Sequence, residues 1–463
     1  MQSKSLISFE KTGDPFIDAG GFALEKLIEI FPEKSILDLI KWASEIYVKK
    51  WNSKINSIFL NNPITQSNIK NEEKINKAVS MFENIINNKS NLGWCRFCGK
   101  ETHLTPLGRD KACIVGSGAF VNFHHSHDNG LLSCSDCAIK YFFLPFMVIQ
   151  LGGNLALLQS ITHETDIFWR KITLEKHLND ISKDNTDGLL KSDFSKPINA
   201  FFNIVFNLIL EFPEKQLKES LTLYYFTNFA AKTDCEIYII NNPVFNFVSK
   251  SIKNCPKQWY NFLNYYYQIK GAKWDIEIQN WKIKDEVIDN NKFLNNNNNI
   301  FNALIDNKNI SMNMCKYYKN QIGNTKLPFD IRIAYYYLEE VRKMKKEQFN
   351  LIQKIGDKIF EIMSNENDFK KYIFLLEKVK RPHELRASLI SIIKKHYNNN
   401  NPEPLITLNE WVNYLFPDGQ YWGEVRDLLL IYLYEKMHIN NLSIEIDSEL
   451  EITENENNLN EEF

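Results

Sequence analysis

Trp94-Cys95-Arg96-Phe97-Cys98-Gly99 opens and Cys134-Ser135-Asp136-Cys137-Ala138-Ile139-Lys140 closes the stretch from which this chain is best read. Two C-x-x-C pairs supply the four thiolates that a tetrahedral zinc ion takes. A two-residue spacer lets both sulfurs of a tight turn point at one ion, roughly 2.3 Å away. Gly99 follows the first pair, where a knuckle needs a residue tolerant of positive φ. The pairs are 35 residues apart, more than the usual spacing of about 15–20. That length predicts a knuckle carrying an inserted loop. A redox pair or plain buried thiols would also use cysteine, but redox motifs come singly. The sequence therefore predicts one Zn2+ held by Cys95, Cys98, Cys134 and Cys137.

The remaining composition fits a folded chain. There are 463 residues, 44% hydrophobic and 13% aromatic, enough for two to four domains. Residues 1–9 are polar and do not read as an export signal. The longest apolar run, 138–151, contains Lys140 and Pro145 and is too short to span a bilayer. Thiolate metal chemistry without an export signal predicts a cytoplasmic protein with no membrane partner. Net charge is −2, which by itself argues against nucleic acid, but its distribution is uneven. Residues 445–463 carry eight acidic and no basic side chains, so the rest has 55 basic against 49 acidic groups. For phosphate binding, local stripes matter more than the total.

Taken in order, residues 5–9 read as a strand and Gly13-Asp14-Pro15 as a turn. Asp18 is placed to cap the helix that follows. The Gly20-Gly21 pair predicts either close helix packing or a phosphate at a helix N-terminus, and packing is preferred. Helices are expected at 35–51 and 72–86, with a strand at 55–60. An apolar helix bent at Pro145 is expected over 138–151, and further helices over 166–181 and 198–212. Strands are expected at 221–229 and 236–240, then a short helix at 245–252. The aromatic stretch 259–267 suits a core or a base-stacking platform. Residues 285–299 lose hydrophobic pattern, and the Asn runs 295–299 and 398–401 read as linkers. Helical patterns follow at 332–363, 376–396 (broken near Pro382), 408–416 and 422–438.

The fold class expected is α+β: a mixed N-terminal region with an inserted zinc module, then an all-helical C-terminal bundle. The parts are 1–93, 94–140, 141–299, 300–444 and an acidic tail, 445–463. Between residues 331 and 397 there are fifteen Lys or Arg against nine Asp or Glu. They cluster around Lys343, Lys345 and Lys346, and around Lys380 and Arg381. Such runs are solvated helix faces or backbone-binding faces.

There is no G-x-S-x-G, no H-E-x-x-H and no dinucleotide fingerprint. His124 and His125 between the knuckles resemble the layout of HNH nucleases, in which a histidine activates water. His125 lies only nine residues before Cys134, however, and the segment after Cys137 offers no His or Asp ligand.

Four segments occur in a specific order: Thr12-Gly13-Asp14-Pro15-Phe16-Ile17-Asp18-Ala19-Gly20, the paired knuckles, Tyr224-Tyr225-Phe226-Thr227-Asn228-Phe229, and Glu424-Val425-Arg426-Asp427-Leu428-Leu429-Leu430. Together they resemble the CXXC–CXXC family of CRISPR-associated proteins, the large subunit of type I-B Cascade. The resemblance covers most of the chain, with the knuckles as its hard motif and the acidic tail outside it. It implies a non-catalytic role in antiviral defence: holding the 5′ handle of the CRISPR RNA and reading the motif beside the DNA target. It also implies other Cascade subunits and a recruited helicase–nuclease as partners. In that setting Arg109, Lys111 and Asn122 of the inter-knuckle loop are the expected nucleic-acid contacts. The basic clusters would hold a displaced strand. The Asn-rich stretch 285–299, the helical and basic region beyond it and the in-frame methionines just inside it predict a small subunit translated from Met312 or Met314, and the resemblance supports this, since such subunits occur in type I-B systems. An HNH-like nuclease and a purely structural scaffold are the alternatives.

Overall fold

The structure is a computed structural model, and it describes residues 7–89, 92–113, 130–215, 217–228, 234–289, 294–322, 329–398, 403–416 and 422–442. The chain is mixed α/β and forms two compact units: Met1–Phe245 with Leu294–Asn297, and Asn246–Phe293 with Asn298–Phe463.

The first unit opens with α1 (Pro15–Ile30). Its cap is Asp14, whose carboxylate accepts from the backbone N–H of Phe16 (3.0 Å) and Ile17 (2.9 Å). Asp18, the expected cap, sits in the first turn and accepts from Thr12 and Gly13. Pro15 explains the shift: it has no N–H to lose and a φ preset for the first helical position, so the residue before it becomes the cap. Then come α2 (Ile36–Glu45), opened by a Ser35/Asp38 capping box and prolonged by a π turn, Ile46–Lys50, and α3 (Asn71–Asn87). The strand expected at 55–60 is a run of turns. Its buried residues are Ile55, Ile58 and Phe59, spaced three and four apart as in a helical turn.

Two short antiparallel pairs follow: β1 (Leu92–Trp94) with β2 (Glu101–His103), and β3 (Thr105–Leu107) with β4 (Leu131–Ser133). The helix expected over 138–151 is three elements. Helix α4 (Ser135–Phe142) gives way to a 3-10 turn, Leu144–Met147, and then to β5 (Ile149–Leu151). Pro145 cannot donate to a continuing α-helix, and Gly152, at φ +58°, turns the chain into β6 (Asn154–Gln159). Next are α5 (His163–Arg170), α6 (Lys176–Ser182), β7 (Leu190–Lys191) and α7 (Pro197–Glu211), then β8 (Leu221–Thr227) and β9 (Asp234–Ile240). The five-stranded sheet has the order β7-β5-β6-β8-β9, and only the β5–β7 pair is parallel.

Helix α1 lies against α4 at Gly20, where a Cβ would overlap the carbonyl oxygen of Lys140. Gly20 therefore serves close packing. The core beside it is aromatic. Tyr47 donates to the Phe142 carbonyl (2.8 Å), and Trp51 and Phe146 flank the fully buried His177.

The second unit opens within α8 (Asn242–Asn254) and continues through α9 (Pro256–Tyr265) to an antiparallel sheet of β10 (Lys273–Asp275), β11 (Asn280–Ile283) and β12 (Glu286–Val287). The aromatic stretch 259–267 is core: Trp259 and Phe262 are buried, and their rings meet Phe247 and Tyr317 edge-on. After β12 come α10 (Asn299–Ile305), α11 (Ser311–Lys319) and α12 (Arg332–Glu340), then α13 (Lys346–Glu366), α14 (Phe369–Glu377) and α15 (Pro382–Asn398). The last are α16 (Leu408–Glu410, prolonged by a π turn, Trp411–Leu415) and α17 (Trp422–Ile439). No strand occurs among the described residues after 298.

Two expectations change here. The helix read over 332–363 breaks at Lys343, which adopts φ +59° while Met344 is buried. The Asn run 295–299 is more than a linker. Asn298 is fully buried, caps α10 through Ile300 and Phe301, and donates to the Leu263 carbonyl (2.9 Å). In the first unit, Asn295 accepts from the Ser195 N–H (2.6 Å).

Candidate metal centre

The four cysteines of the two pairs meet. Their sulfurs all lie within 4.8 Å of one another, with Cys98 Sγ 3.7 Å from Cys134 Sγ. A tetrahedral ion with bonds of about 2.3 Å sets sulfurs about 3.8 Å apart, so this spacing fits a shared ion. No disulfide competes, because all eight cysteines are free. Among the described residues this is the one group of three or more His, Cys, Asp or Glu side chains so gathered.

Local backbone chemistry explains the gathering. In the first knuckle, Cys95 N–H donates to the Lys100 carbonyl and Gly99 N–H to the Cys95 carbonyl, both at 2.9 Å. Gly99 takes φ +69° to close the turn. The Arg96 N–H bonds the Leu132 carbonyl (2.9 Å), which ties this turn to the strand that leads into the second pair. In the second knuckle, Cys134 caps α4, its sulfur accepting from the Cys137 N–H (3.4 Å). The Cys134 N–H points at Cys95 Sγ (3.3 Å). Backbone N–H groups aimed at sulfur stabilise thiolate.

The thiols titrate unequally. Hydrogen bonds with Cys134 and Cys137 hold Cys95 far below the usual thiol value. Hydrogen bonds with Cys134 and Cys95, and then burial, push Cys137 far above it. Each further negative charge is opposed by the last, which a bound cation would offset.

The second knuckle is also built into the core. Asp136 accepts from the Ser8 N–H (3.4 Å) and pairs with Lys140, which is buried and reaches the Ser8 carbonyl. This ion pair was not singled out in the sequence. Its only trace there is the i, i+4 spacing of an acid and a base, which most surface helices share. Leu92 and Trp94 were likewise missed; they stand exposed on β1 beside the first knuckle, Trp94 at 64%.

The remaining candidates are placed as follows. Arg109 is half-buried; its Nε donates to Asn228 Oδ1 (3.1 Å) and its guanidinium also reaches the Asn228 carbonyl. Asn228 is fully buried and donates back to the Arg109 carbonyl (3.1 Å). Lys111 pairs with Asp110 at 2.9 Å. Asn122, the Gly116-Ser117-Gly118 loop, His124 and His125 lie outside the described residues. In the second unit, Lys343, Lys345, Lys346, Lys380 and Arg381 are all exposed.

The two basic turns share an anchor. Arg342 pairs with the buried Glu424 of α17, and Arg426 of the same helix donates to the Val379 carbonyl (2.7 Å). Arg426 is itself held by Asp427 at 2.7 Å. The segment 424–430 is thus buried and fixes the turns that carry the exposed cations. No protein-family model matches the chain, and no curated protein matches it. Among the described residues, no helix is long and apolar enough to cross a membrane.

Proposed function

We propose that this chain is the non-catalytic large subunit of a CRISPR RNA-guided DNA surveillance complex of type I-B, acting in the cytoplasm with zinc in the four-cysteine centre. The observation that carries this reading is the centre itself. It joins the two ends of an inserted stretch, residues 99–133, at one point rooted in the core through α4. A loop held that way can be presented to a nucleic-acid groove from a fixed base. In this reading the N-terminal α/β region carries the zinc module and the helices after residue 298 form a strand-holding bundle. Zinc is preferred because four thiolates in tetrahedral spacing suit it, and it would supply structural cross-linking alone.

Within this reading Arg109 positions the base of the loop through Asn228, while Lys111, Asn122 and the exposed Trp94 are the proposed contacts. Lys343, Lys345, Lys346, Lys380 and Arg381 would meet phosphates. The partners would be CRISPR RNA, target DNA, the other Cascade subunits and a helicase–nuclease.

The test is co-expression with a repeat array and the other subunits of such a complex, followed by sequencing of the bound RNA. Retention of repeat-derived 5′ handles, with duplex binding that depends on the flanking motif, is the expected result. A purified chain that retains no RNA and cleaves DNA in a metal-dependent way lost in His125→Ala would replace this reading with the nuclease.

A further inference from the structure

The outer face of the α14–α15 hairpin is an unusually one-sided surface. Residues 369–398 contain eight Lys or Arg and two Glu. Both acids are committed elsewhere: Glu377 to Lys319 (3.0 Å) and Tyr434 (2.7 Å), and Glu384 to the backbone N–H groups of Lys380 and Arg381. Lys378, Lys380, Arg386 and Lys394 are exposed and make no salt bridge among the described residues. Between these cations stand exposed apolar side chains: Phe374 (41%), Leu375 (44%), Ile390 (44%) and Tyr397 (49%). Lys378 lies 3.9 Å from the centre of the Phe374 ring. A surface that mixes free cations with uncovered apolar groups suits a ligand that mixes carboxylates with apolar groups.

The chain carries such a ligand. Residues 444–452 read Ile-Glu-Ile-Asp-Ser-Glu-Leu-Glu-Ile. In an extended segment with a period of two, Glu445, Asp447, Glu449 and Glu451 fall on one side and Ile444, Ile446, Leu450 and Ile452 on the other. The last described residue before it is Leu442, just past α17 of the same unit. Nineteen residues, 445–463, span about 60 Å when extended. That exceeds the width of a compact unit of about 200 residues, whose radius of gyration is roughly 17 Å.

We propose that the acidic tail, residues 443–463, docks on the outer face of α14–α15 within the same chain and competes there with nucleic-acid phosphates. The occupant is the tail because it has the complementary charge and alternation, and because it is tethered. Tethering raises its local concentration to roughly millimolar, so modest contacts suffice to keep it bound at low salt. The competition rests on the proposed nucleic-acid role, whereas the docking does not.

Zero-length carbodiimide coupling of the full-length protein, mapped by mass spectrometry at low salt, tests the docking. A one-to-one mixture of isotopically light and heavy protein separates links within a chain from links between copies. The expected result is intrachain links from Glu445–Glu451 concentrated on Lys378, Lys380 and Lys394, and lost in high salt. Links spread evenly over the lysines of the chain overturn the proposal, as do links found only between light and heavy copies.

The second arm measures binding of a fifteen-nucleotide oligo-dT to the wild type and to the full-length variant Glu445→Gln/Asp447→Asn/Glu449→Gln/Glu451→Gln. The variant is expected to bind about tenfold more tightly at low salt. Equal, measurable affinities overturn the competition. If the intrachain links are present and neither protein binds the oligonucleotide, docking holds and the nucleic-acid role of this face fails.

Discussion

At the scale of single residues, the four cysteines carry the first prediction. Zinc bound in small modules contributes roughly 10–16 kcal/mol at neutral pH, and that energy is also folding energy. Metal analysis of the purified chain should therefore give one ion per molecule. Cys95→Ser/Cys134→Ser should lose it and expose the 94–140 region to protease; a double variant with full metal content would refute the ligand set. His177 carries the second. Burial first, and then the Lys176 charge, push its pKa down to about 3 from the ordinary histidine value of 6.5, and neither ring nitrogen has a hydrogen-bond partner. The unfolded chain therefore takes up this proton first. Stability from this group is complete above pH 6.5 and is lost as pH falls from 6.5 towards 3, by up to about 1.4 kcal/mol per pH unit. Replacing it with phenylalanine between Trp51 and Phe146 should flatten that slope between pH 7 and pH 5 in urea unfolding. An unchanged slope would show that other groups carry it.

At the scale of elements, α1 depends on two residues that do different things. Asp14→Ala removes the cap and should cost about 1 kcal/mol. Gly20→Ala forces α1 away from α4, and over-packing of this kind costs roughly 1–3 kcal/mol. Because α4 is capped by Cys134 and carries Cys137, the Gly20 change should also speed metal loss to a chelator, which the Asp14 change should not. Equal chelation rates would mean that the packing and the metal site are uncoupled. The elements also show what was legible in the sequence. The knuckles were, because C-x-x-C spacing encodes geometry within four residues. Strands β8 and β9 and helices α3 and α7 were, because each carries its own periodicity. The break at Lys343 was not: no Gly or Pro marks it, and it is held by Met344 packing and by the Arg342–Glu424 pair across 82 positions. The end of α4 was missed because an apolar run looks alike whether it is helix or buried strand. The bond from Arg109 to Asn228 was not legible either, because nothing local shows that a residue 119 positions away accepts from it.

At the scale of the whole molecule, the two compact units bear on an internal translation start. The sequence suggested that a start at Met312 or Met314 would release an intact helical subunit. Both methionines lie inside α11, where Met314, Cys315, Tyr317 and Tyr318 are buried. A chain beginning there would lack α8 from Asn246 onward, α9, α10 and the sheet β10–β12, all of which belong to the second unit. It would uncover Tyr317, packed on Phe262, and Tyr337, packed on Phe247. It would also remove Tyr266, whose hydroxyl donates to the Asn313 carbonyl at 2.5 Å. Losing an aromatic partner in a core typically costs about 3–5 kcal/mol, a large share of the 5–15 kcal/mol by which domains are stable. A fragment 312–463 is therefore expected to aggregate or to unfold without a cooperative transition. A fragment 246–463, which restores those partners, should unfold cooperatively in urea, with residues 294–297 as an exposed loop. If 312–463 alone gives a cooperative transition with the midpoint of 246–463, the elements before α11 contribute nothing to that core, and an internal start becomes structurally sound.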